Sequence, residues 1–319
     1  MDLKQLRAFL TVSEVGSVTR AAELLNLVQP TVSRQLQLLE EDMGTPLFER
    51  GARRMTLTAA GKTMVEYTRR ILNEVARAKA EIRPEGGSVA GIVSIGLLAS
   101  TSDLLSTPIV SAISNAYPQI RPRIVVGYAG HLVELLENGE VDFALLYDQK
   151  NTPALHVTTL IEEELWVVGP VSANLRRSRP VQPNQLALQR FVLPSAPYGL
   201  RALIEQAVSL MQVQLDVVAE TDSLSVQKNL VMNGHGWTIL PAASVSEDVA
   251  QKRLSATTFA GLPLRRKIVI AAPASRQPTT SVRCALTILL DQMKTMVQSK
   301  QWTSAVWLAE DWNQKHTHT

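Results

Sequence analysis

The chain has 319 residues, of which 45% are hydrophobic, and a formal net charge of +3 at pH 7. This length allows two or three domains with separate cores, and the single cysteine, Cys284, excludes an intramolecular disulfide. No stretch of the sequence approaches the ~20 consecutive apolar residues that span a bilayer. We therefore expect a cytoplasmic protein with no membrane partner.

Residues 1–43 predict three helices. Apolar residues at a helical period end at Gly16, and Ser17 suits the N-cap of a short second helix. Residues 26–28 form the turn before Pro30, which opens the third helix, and Gly44 ends it. The apolar positions of the first helix are Leu3, Leu6, Phe9 and Leu10. Those of the third helix, predicted to be its buried face, are Val32, Leu36, Leu39 and Met43.

A helix-turn-helix followed by a basic hairpin is typical of a DNA-binding domain. Leu47 and Phe48 predict a short strand, residues 51–54 a turn and residues 55–57 the return strand. Because base contacts specify sequence and phosphate contacts fix register, we assign base reading to the third helix and backbone contacts to the hairpin. The residues expected to contact double-stranded DNA are Gln29, Pro30, Thr31, Ser33, Arg34, Gln35, Arg50, Arg53, Arg54, Thr56 and Thr58.

Three sequence blocks give this region a family resemblance. They are Leu3-Lys-Gln-Leu-Arg-Ala-Phe with Gly16-Ser-Val-Thr-Arg-Ala-Ala-Glu-Leu-Leu, then Gln29-Pro-Thr-Val-Ser-Arg-Gln-Leu, then Leu47-Phe-Glu-Arg50 to Thr58-Ala-Ala-Gly61. In this order and spacing, residues 1–58 resemble the winged helix-turn-helix of LysR-type transcriptional regulators, with Thr31 where the family often has Ala or Ser. The resemblance implies a bacterial transcription factor that binds promoter DNA and contacts RNA polymerase.

Residues 59–88 predict a long linker helix and a hinge. Thr58 suits the helix N-cap, and Pro84 with the glycines at 86 and 87 ends the helix near Arg83. Two interleaved heptad series favour pairing with a second helix, and packing on its own domain is the alternative. The series are Met64, Ile71 and Ala78, and Thr68, Val75 and Ile82. In the family this helix mediates dimerisation, so we expect a dimer, a homotetramer built from two dimers, and a dyad-symmetric operator.

From residue 89 onward, short apolar strands alternate with helices, as in α/β domains. Strands are predicted at residues 92–98, 123–126, 141–146, 165–168, 191–193, 217–220, 238–240 and 267–272, and helices at 199–213 and 224–232. The resemblance implies a two-lobed α/β effector-binding domain like a type 2 periplasmic binding protein over residues 89–297, with lobe 1 at 91–162 and 267–297 and lobe 2 at 163–266. The expected fold class is multidomain α and α/β: winged helix-turn-helix, linker helix, effector-binding domain.

Three hydroxyl side chains mark a candidate effector site: Ser100, Thr101 and Ser102 follow the first strand of this domain, at a helix start. Ligands of open α/β sheets bind beyond the carboxyl ends of strands, where hydroxyls and helix N–H groups favour a carboxylate. Helix capping is the alternative, and the family's use of Ser or Thr at this turn favours the anion site. The other expected effector contacts are Gly130, His131, Ser195, Tyr198, Arg201, Thr221 and Trp237.

The sequence adds detail at two of these places, the loop at residues 130–131 and the helix that begins near Arg201. Gly130 and His131 stand where many relatives have Ser or Thr, which indicates altered ligand chemistry at that loop. Arg201 can pair with an acid through two hydrogen bonds, and the outer face of its helix is the alternative location.

The sequence predicts no enzyme. The histidines, at positions 131, 156, 235, 316 and 318, are scattered, and no Gly-x-Ser-x-Gly, His-Glu-x-x-His or Walker loop occurs. We therefore expect no catalytic residue, cofactor or metal, only a small-molecule effector of unknown identity. The tail, residues 298–319, carries Trp302, Trp307 and Trp312. We expect it to form a helix packed on the last lobe, with an oligomer contact as the alternative.

These patterns together predict a LysR-type regulator whose sequence-specific promoter binding is modulated by a small anionic metabolite. The alternative is an effector-independent regulator whose cleft is occluded by its own side chains.

Overall fold

A computed structural model gives the fold and describes residues 1–49, 54–82, 89–196, 199–261 and 263–309. The chain forms two compact units. The first unit holds Met1–Gly91 with Glu137–Glu140, and the second holds the rest of the described chain. None of the helices within these ranges is both long and apolar enough to cross a membrane.

The first unit consists of three short helices, a hairpin and a long fourth helix. Its elements are α1 (Leu3–Val15), α2 (Val18–Leu25), α3 (Gln29–Met43), β1 (Phe48–Glu49), β2 (Thr56–Leu57) and α4 (Ala59–Ile82). A capping box between Asp2 and Gln5 starts α1. Gly16 and Gly44 end α1 and α3 at φ 67° and 68°, a left-handed conformation that glycine adopts without a Cβ clash.

The core of this unit lies between α1, α2, α3 and the hairpin. Phe9 and Phe48 pack with their ring centroids 5.4 Å apart. Val32, Leu36 and Leu39 of α3 are buried as expected. Met43 was expected to join them and does not: it is 37% exposed, because it occupies the last turn of α3, where the chain turns away at Gly44.

The expected dimer seam on α4 is wrong in its first half. Met64 is buried in the core of its own domain, Ile71 packs against the same core, and Thr68 is fully buried. The reason is that α1 packs along α4, so these positions are covered within the chain. Toward the end of α4, Ala78 and Ile82 are exposed, and that half of the seam stays a prediction.

The chain from residue 91 onward forms two α/β lobes. The helices are α5 (Ala99–Ala116), α6 (Ala129–Glu137), α7 (Pro183–Leu186), α8 (Gly199–Leu210), α9 (Leu224–Met232), α10 (Ala242–Ala250) and α11 (Thr280–Gln298). The strands are β3 (Gly91–Leu98), β4 (Ile120–Gly127), β5 (Phe143–Tyr147), β6 (Leu155–Pro170), β7 (Arg190–Leu193), β8 (Asp216–Glu220), β9 (Thr238–Pro241), β10 (Leu254–Thr257), β11 (Arg265–Pro273) and β12 (Ala305–Trp307).

The two lobes share strand β6. Its first half pairs antiparallel with β11, in a sheet that continues through β5 and β3 to β4. Its second half pairs antiparallel with β9 and β10, and β7 and β8 pair in parallel in the same lobe. Two chain segments therefore cross between the lobes, β6 itself and the segment that leads from β10 into β11.

Alternate residues of β6 enter different cores of the second lobe. Leu165 and Val167 pack in a cluster with Phe191, whereas Trp166 and Val168 pack in a cluster with α10 residues on the other face. Because side chains alternate along a strand, this pattern means that the sheet is covered on both faces.

The described part of the tail, up to residue 309, forms a strand where a helix was expected. β12 pairs antiparallel with the first half of β6. The helix α11 ends at Gln298, and positive φ angles at Lys300 and Ser304 turn the chain back along β6. Trp312 lies outside the described residues.

Candidate DNA-binding and effector sites

The N-terminal half of α3 presents a polar face. Gln29, Pro30 and Arg34 are exposed, and Thr31 and Ser33 are partly exposed. An α-helix fits the major groove of DNA, where Arg, Gln, Ser and Thr side chains bond base edges. The face opposite the buried residues of α3 therefore has the shape and chemistry expected of a recognition helix.

Gln35 departs from this expectation. Its amide oxygen is buried and has no hydrogen-bond partner among the described residues. The reason is its place on the helix: Leu36 is the next residue and Leu39 lies one turn further, so Gln35 borders the buried face. A buried amide oxygen is not offered to a base edge, unlike the exposed side chains of Gln29 and Arg34.

Glu40 joins α3 to the hairpin. Its Oε1 accepts hydrogen bonds from the backbone N–H of Leu47 at 2.7 Å and of Phe48 at 3.1 Å. The hairpin itself pairs Phe48 with Leu57 and Glu49 with Thr56. The carboxylate thus fixes the start of the wing to the recognition helix, a role that the sequence pattern did not indicate.

The expected wing contacts are placed unevenly. Arg50 and Arg53 lie outside the described residues, and Arg54 is exposed. The Thr56 hydroxyl donates to Glu49 Oε2 at 3.0 Å. The Thr58 hydroxyl donates to the Pro46 carbonyl at 2.9 Å and accepts from the Gly61 N–H at 3.0 Å, which makes it the cap of α4. Both hydroxyl protons are therefore engaged within the domain and are unavailable to a phosphate.

The three hydroxyl residues that follow β3 have two different environments. Thr101 is fully buried and donates to the Leu98 carbonyl at 3.0 Å, and Ser102 donates to the Ala99 carbonyl at 3.1 Å. Both hydroxyl protons are thus engaged by backbone carbonyls at the start of α5, and because no side chain caps the start of α5, the helix-capping alternative is wrong for these two residues. Ser100 alone of the three lines the pocket between the lobes, where its Oγ accepts from Arg266 Nη2 at 2.7 Å.

The pocket between the lobes is narrow and mainly apolar. Its cavity volume is about 30 Å³, far below the ~300–1,000 Å³ of typical ligand pockets. The first lobe contributes the start of α5, the ends of β4 and β5, and β11; the second contributes the starts of α8 and α9 and the end of β9. The lining residues are Leu98, Ala99, Ser100, Gly127, Tyr128, Tyr147, Pro194, Leu200, Leu224, Gln227, Leu240, Pro241 and Arg266.

Arg266 is the cation of this pocket. It is 3% exposed, its guanidinium lies 5.2 Å from the centre of the Tyr147 ring, and it forms a buried ion pair with Glu163 at 2.6 Å. Its Nη1 forms no hydrogen bond to any of the described residues, whereas Nε and Nη2 bond Glu163 and Ser100. Arg266 was not among the residues expected at the site. The signal was a run of three basic residues, 265–267, matching three glutamates at 162–164.

Tyr147 closes the pocket beside Arg266. Its hydroxyl oxygen accepts from the Leu200 N–H at 3.0 Å, at the start of α8. Burial raises the pKa of this hydroxyl, so it remains neutral and keeps its proton near pH 7. A Cβ on Gly199 would lie 2.8 Å from the Tyr147 hydroxyl oxygen, so the close approach of α8 to Tyr147 requires glycine there.

The remaining expected effector contacts do not line the pocket. Arg201 is paired with Glu205 at 2.6 Å and with Glu220 at 2.7 Å, so its charge is already compensated, and its Nη1 also donates to the Pro194 carbonyl. Thr221 accepts from the Ser223 N–H, and Trp237 packs in the core of the second lobe. The others that the structure describes, namely Gly130, His131 and Ser195, lie outside the lining, and Tyr198 is outside the described residues.

Two family models match the chain in order. Residues 3–62 match the bacterial regulatory helix-turn-helix of the LysR family, and residues 86–294 match the LysR substrate-binding domain. The chain is 28% identical over 305 residues to the transcriptional regulator BbuR of Bordetella bronchiseptica, covering 95% of this chain and 93% of that protein. It is 26% identical over 306 residues to the nitrogen assimilation regulatory protein nac of Escherichia coli, covering 95% and 99%.

A solved structure supports the fold. Full-length CbnR in complex with its target DNA is 22% identical and superposes with a TM-score of 0.68, covering 92% of this chain and 99% of that one. The helix-turn-helix with its wing, the two lobes joined by β6 and the two matched family domains lead to one conclusion. The chain belongs to the LysR family of DNA-binding transcriptional regulators, with an N-terminal helix-turn-helix and a two-lobed effector-binding domain.

Proposed function

We propose that this regulator responds to a small monocarboxylate with an apolar body, bound between the two lobes. The observation that supports this most directly is Arg266, a buried guanidinium that lines a mainly apolar pocket and has Nη1 unbonded among the described residues. Ligand sites combine apolar walls with a few polar groups that fix orientation. Guanidinium and carboxylate form strong charge-assisted hydrogen bonds.

The net charge of the pocket favours one carboxylate over two. Glu163 compensates Arg266, so a dianion would meet no second cation among the lining residues that the structure describes. The Tyr147 hydroxyl proton has no acceptor among the described residues and supplies a second donor. Since a cavity of about 30 Å³ is far smaller than the ~300–1,000 Å³ of typical ligand sites, the lobes separate to admit such a ligand and close on it, and the ligand shifts this equilibrium by binding the two states differently.

We propose further that α3 reads the promoter sequence through Gln29, Pro30, Thr31, Ser33 and Arg34, with Arg50, Arg53 and Arg54 on phosphates. A dimer formed through the second half of α4 would present two recognition helices to a dyad-symmetric site, and two dimers would form the tetramer. Effector-dependent change of their spacing would alter DNA bending and the contact with RNA polymerase. This proposal includes no catalytic step.

A footprinting titration of the full-length protein tests the function. The DNA is the region upstream of the protein's own gene, or a duplex selected from a random library. Its protection from nuclease cleavage is measured without additive, with benzoate and with the neutral analogue benzamide. We expect a dyad site whose protected extent changes with the carboxylate and not with the amide. Protection unchanged by a panel of carboxylates would support the effector-independent alternative, and no sequence-specific protection of any selected duplex would overturn the DNA assignment.

A further inference from the structure

Trp302 lies outside the matched family domain, which ends at residue 294, yet it is among the largest fully buried side chains of the described chain. It is 1% exposed, and its Nε1 donates to Glu163 Oε2 at 2.9 Å. Buried indole N–H groups need an acceptor, and here the acceptor is the carboxylate that neutralises the pocket arginine.

Glu163 stands between two neighbouring strands. On β6 it is the direct cross-strand partner of Arg266 on β11 and, on the other side, of Ala305 on β12. Its Oε1 accepts from Arg266 Nε at 2.7 Å and its Oε2 accepts from Trp302. One buried carboxylate is thus shared between the arginine and the segment that follows α11.

Arg266 carries this connection into the pocket. Its Nη2 reaches Ser100 Oγ at 2.7 Å, at the start of α5. The chain of bonds runs from Trp302 through Glu163 and Arg266 to Ser100, and it crosses β6 and β11 where the chain passes between the lobes. Hydrogen bonds that end on a shared ionised group influence one another, more strongly in a buried site than in water.

We propose that Trp302 is a positioning residue of the effector pocket: through Glu163 it determines how much of the Arg266 charge an anion meets, so residues 299–309 set effector affinity. This rests on the proposed monocarboxylate site. The Trp302 N–H stabilises part of the negative charge on Glu163. Without it, Glu163 holds Arg266 more strongly and anion binding weakens. Without the charge of Glu163, Arg266 is uncompensated and anion binding strengthens.

The test is isothermal titration of benzoate into the full-length protein, with benzamide as the neutral probe. We expect Trp302→Phe to bind benzoate roughly fivefold more weakly and Glu163→Gln roughly tenfold more tightly than the unmodified chain, with benzamide affinity unchanged. The fivefold effect is smaller than the roughly tenfold or more expected on losing a direct hydrogen bond to a charged group, because Trp302 acts on the anion only through Glu163 and Arg266. Trp307→Phe is the matched control, because the Trp307 Nε1 donates to the Ala309 carbonyl within the same segment and does not touch Glu163.

The two variants distinguish this electrostatic effect from a loss of packing. Lost packing would weaken benzoate binding in both, whereas we expect opposite changes in the two. A thermal unfolding curve and circular dichroism spectrum like those of the unmodified chain confirm that each variant is folded in the unit that holds residues 163 and 302. Unchanged benzoate affinity in Trp302→Phe, or no gain in benzoate affinity in Glu163→Gln, overturns the inference. If the unmodified chain binds benzoate too weakly to measure, measurable benzoate binding by Glu163→Gln is still required. Ala99→Phe, which places a ring in the pocket, separates the two proposals: benzoate binding that survives it shows that the proposed effector site itself is wrong.

Discussion

At the scale of single residues, Arg34 carries the clearest expectation for DNA recognition. It is exposed on the polar face of α3, and each good side-chain pair to a base contributes about 1–3 kcal/mol of discrimination. Arg34→Ala should therefore weaken operator binding by about tenfold to a hundredfold in a mobility-shift titration, and should weaken non-specific binding much less. Arg7→Ala, an exposed arginine on α1, controls for charge. Equal losses on specific and random duplexes would assign Arg34 to phosphate contacts.

Thr101 shows how a residue that matches a ligand motif can serve the fold instead. It is fully buried and donates to the Leu98 carbonyl. Replacing it by the similarly shaped valine removes this bond, at a typical net cost of ~1 kcal/mol. We expect Thr101→Val to lower the free energy of urea unfolding by about that amount and to leave benzoate affinity unchanged, whereas Thr101→Ser keeps the bond. A selective loss of benzoate binding in Thr101→Val would return this residue to the effector site.

Asp248 gives the second lobe a defined response to acid. Burial raises the pKa of this carboxyl, but bonds from Lys228 and Arg253 outweigh it and hold the pKa below the ordinary 3.8. Its contribution to stability is thus complete above about pH 3.8 and is lost as pH falls through the lowered folded-state pKa. Asp248→Asn should destabilise the protein to urea at pH 7, with a penalty that shrinks below pH 3.8. The exposed Asp216→Asn should show no such penalty.

At the scale of elements, the wing depends on a contact from the helix before it. The Glu40 carboxylate accepts from two N–H groups at the start of the hairpin. Glu40→Ala leaves both donors without this partner, so we expect the wing to loosen and operator affinity to fall, by up to roughly thirtyfold if each bond contributes ~1 kcal/mol. Glu40→Gln keeps an acceptor oxygen and should lose less. Limited proteolysis between residues 50 and 54 measures the loosening; equal cleavage of both variants would contradict this account.

Helix ends and apolar strands carry local sequence signals and were predictable, whereas a charged stretch of strand that is held by distant residues was not. Gly16, Ser17 and Gly44 fix helix ends through local backbone geometry, so α1, α2 and α3 were recognised. The first half of β6 was not. Its three glutamates at 162–164 do not favour a strand, and they are held there by Lys267, Arg266 and Arg265 directly opposite on β11. That pairing joins residues about a hundred positions apart in the chain, which no local pattern shows.

The same distance explains why the candidate effector site was only partly predicted. Ser100 was found because hydroxyls at a helix start form a local motif. Arg266 and Tyr147 reach the pocket only when β11 and β5 pair in the folded sheet. Arg201 was named instead, because an arginine at the start of a helix has the appropriate local chemistry, yet its neighbours Glu205 and Glu220 already pair with it.

At the scale of the whole molecule, the exposed end of α4 determines whether two chains can read one operator. Met64 and Thr68 are buried and are unavailable to a partner, so a helix pair has to form further along, where Ile82 is 78% exposed. An isoleucine this exposed at a heptad position gains by packing on a partner helix. A glutamate at position 82 would place two negative charges, one from each chain, next to each other, and their repulsion would oppose pairing of the helices.

Ile82→Glu should therefore shift the dimer toward monomer in analytical ultracentrifugation while the fold is kept, and Lys79→Glu, an exposed neighbour on the same turn of α4, should not. Loss of the dimer should also weaken DNA binding. In a dimer, binding of the first recognition helix holds the second at a high effective concentration near its half-site, and a monomer lacks this increase in affinity. Ile82→Glu should then lose dyad-operator affinity steeply while its affinity for a single half-site is unchanged. An intact dimer in this variant would place the interface elsewhere on the chain.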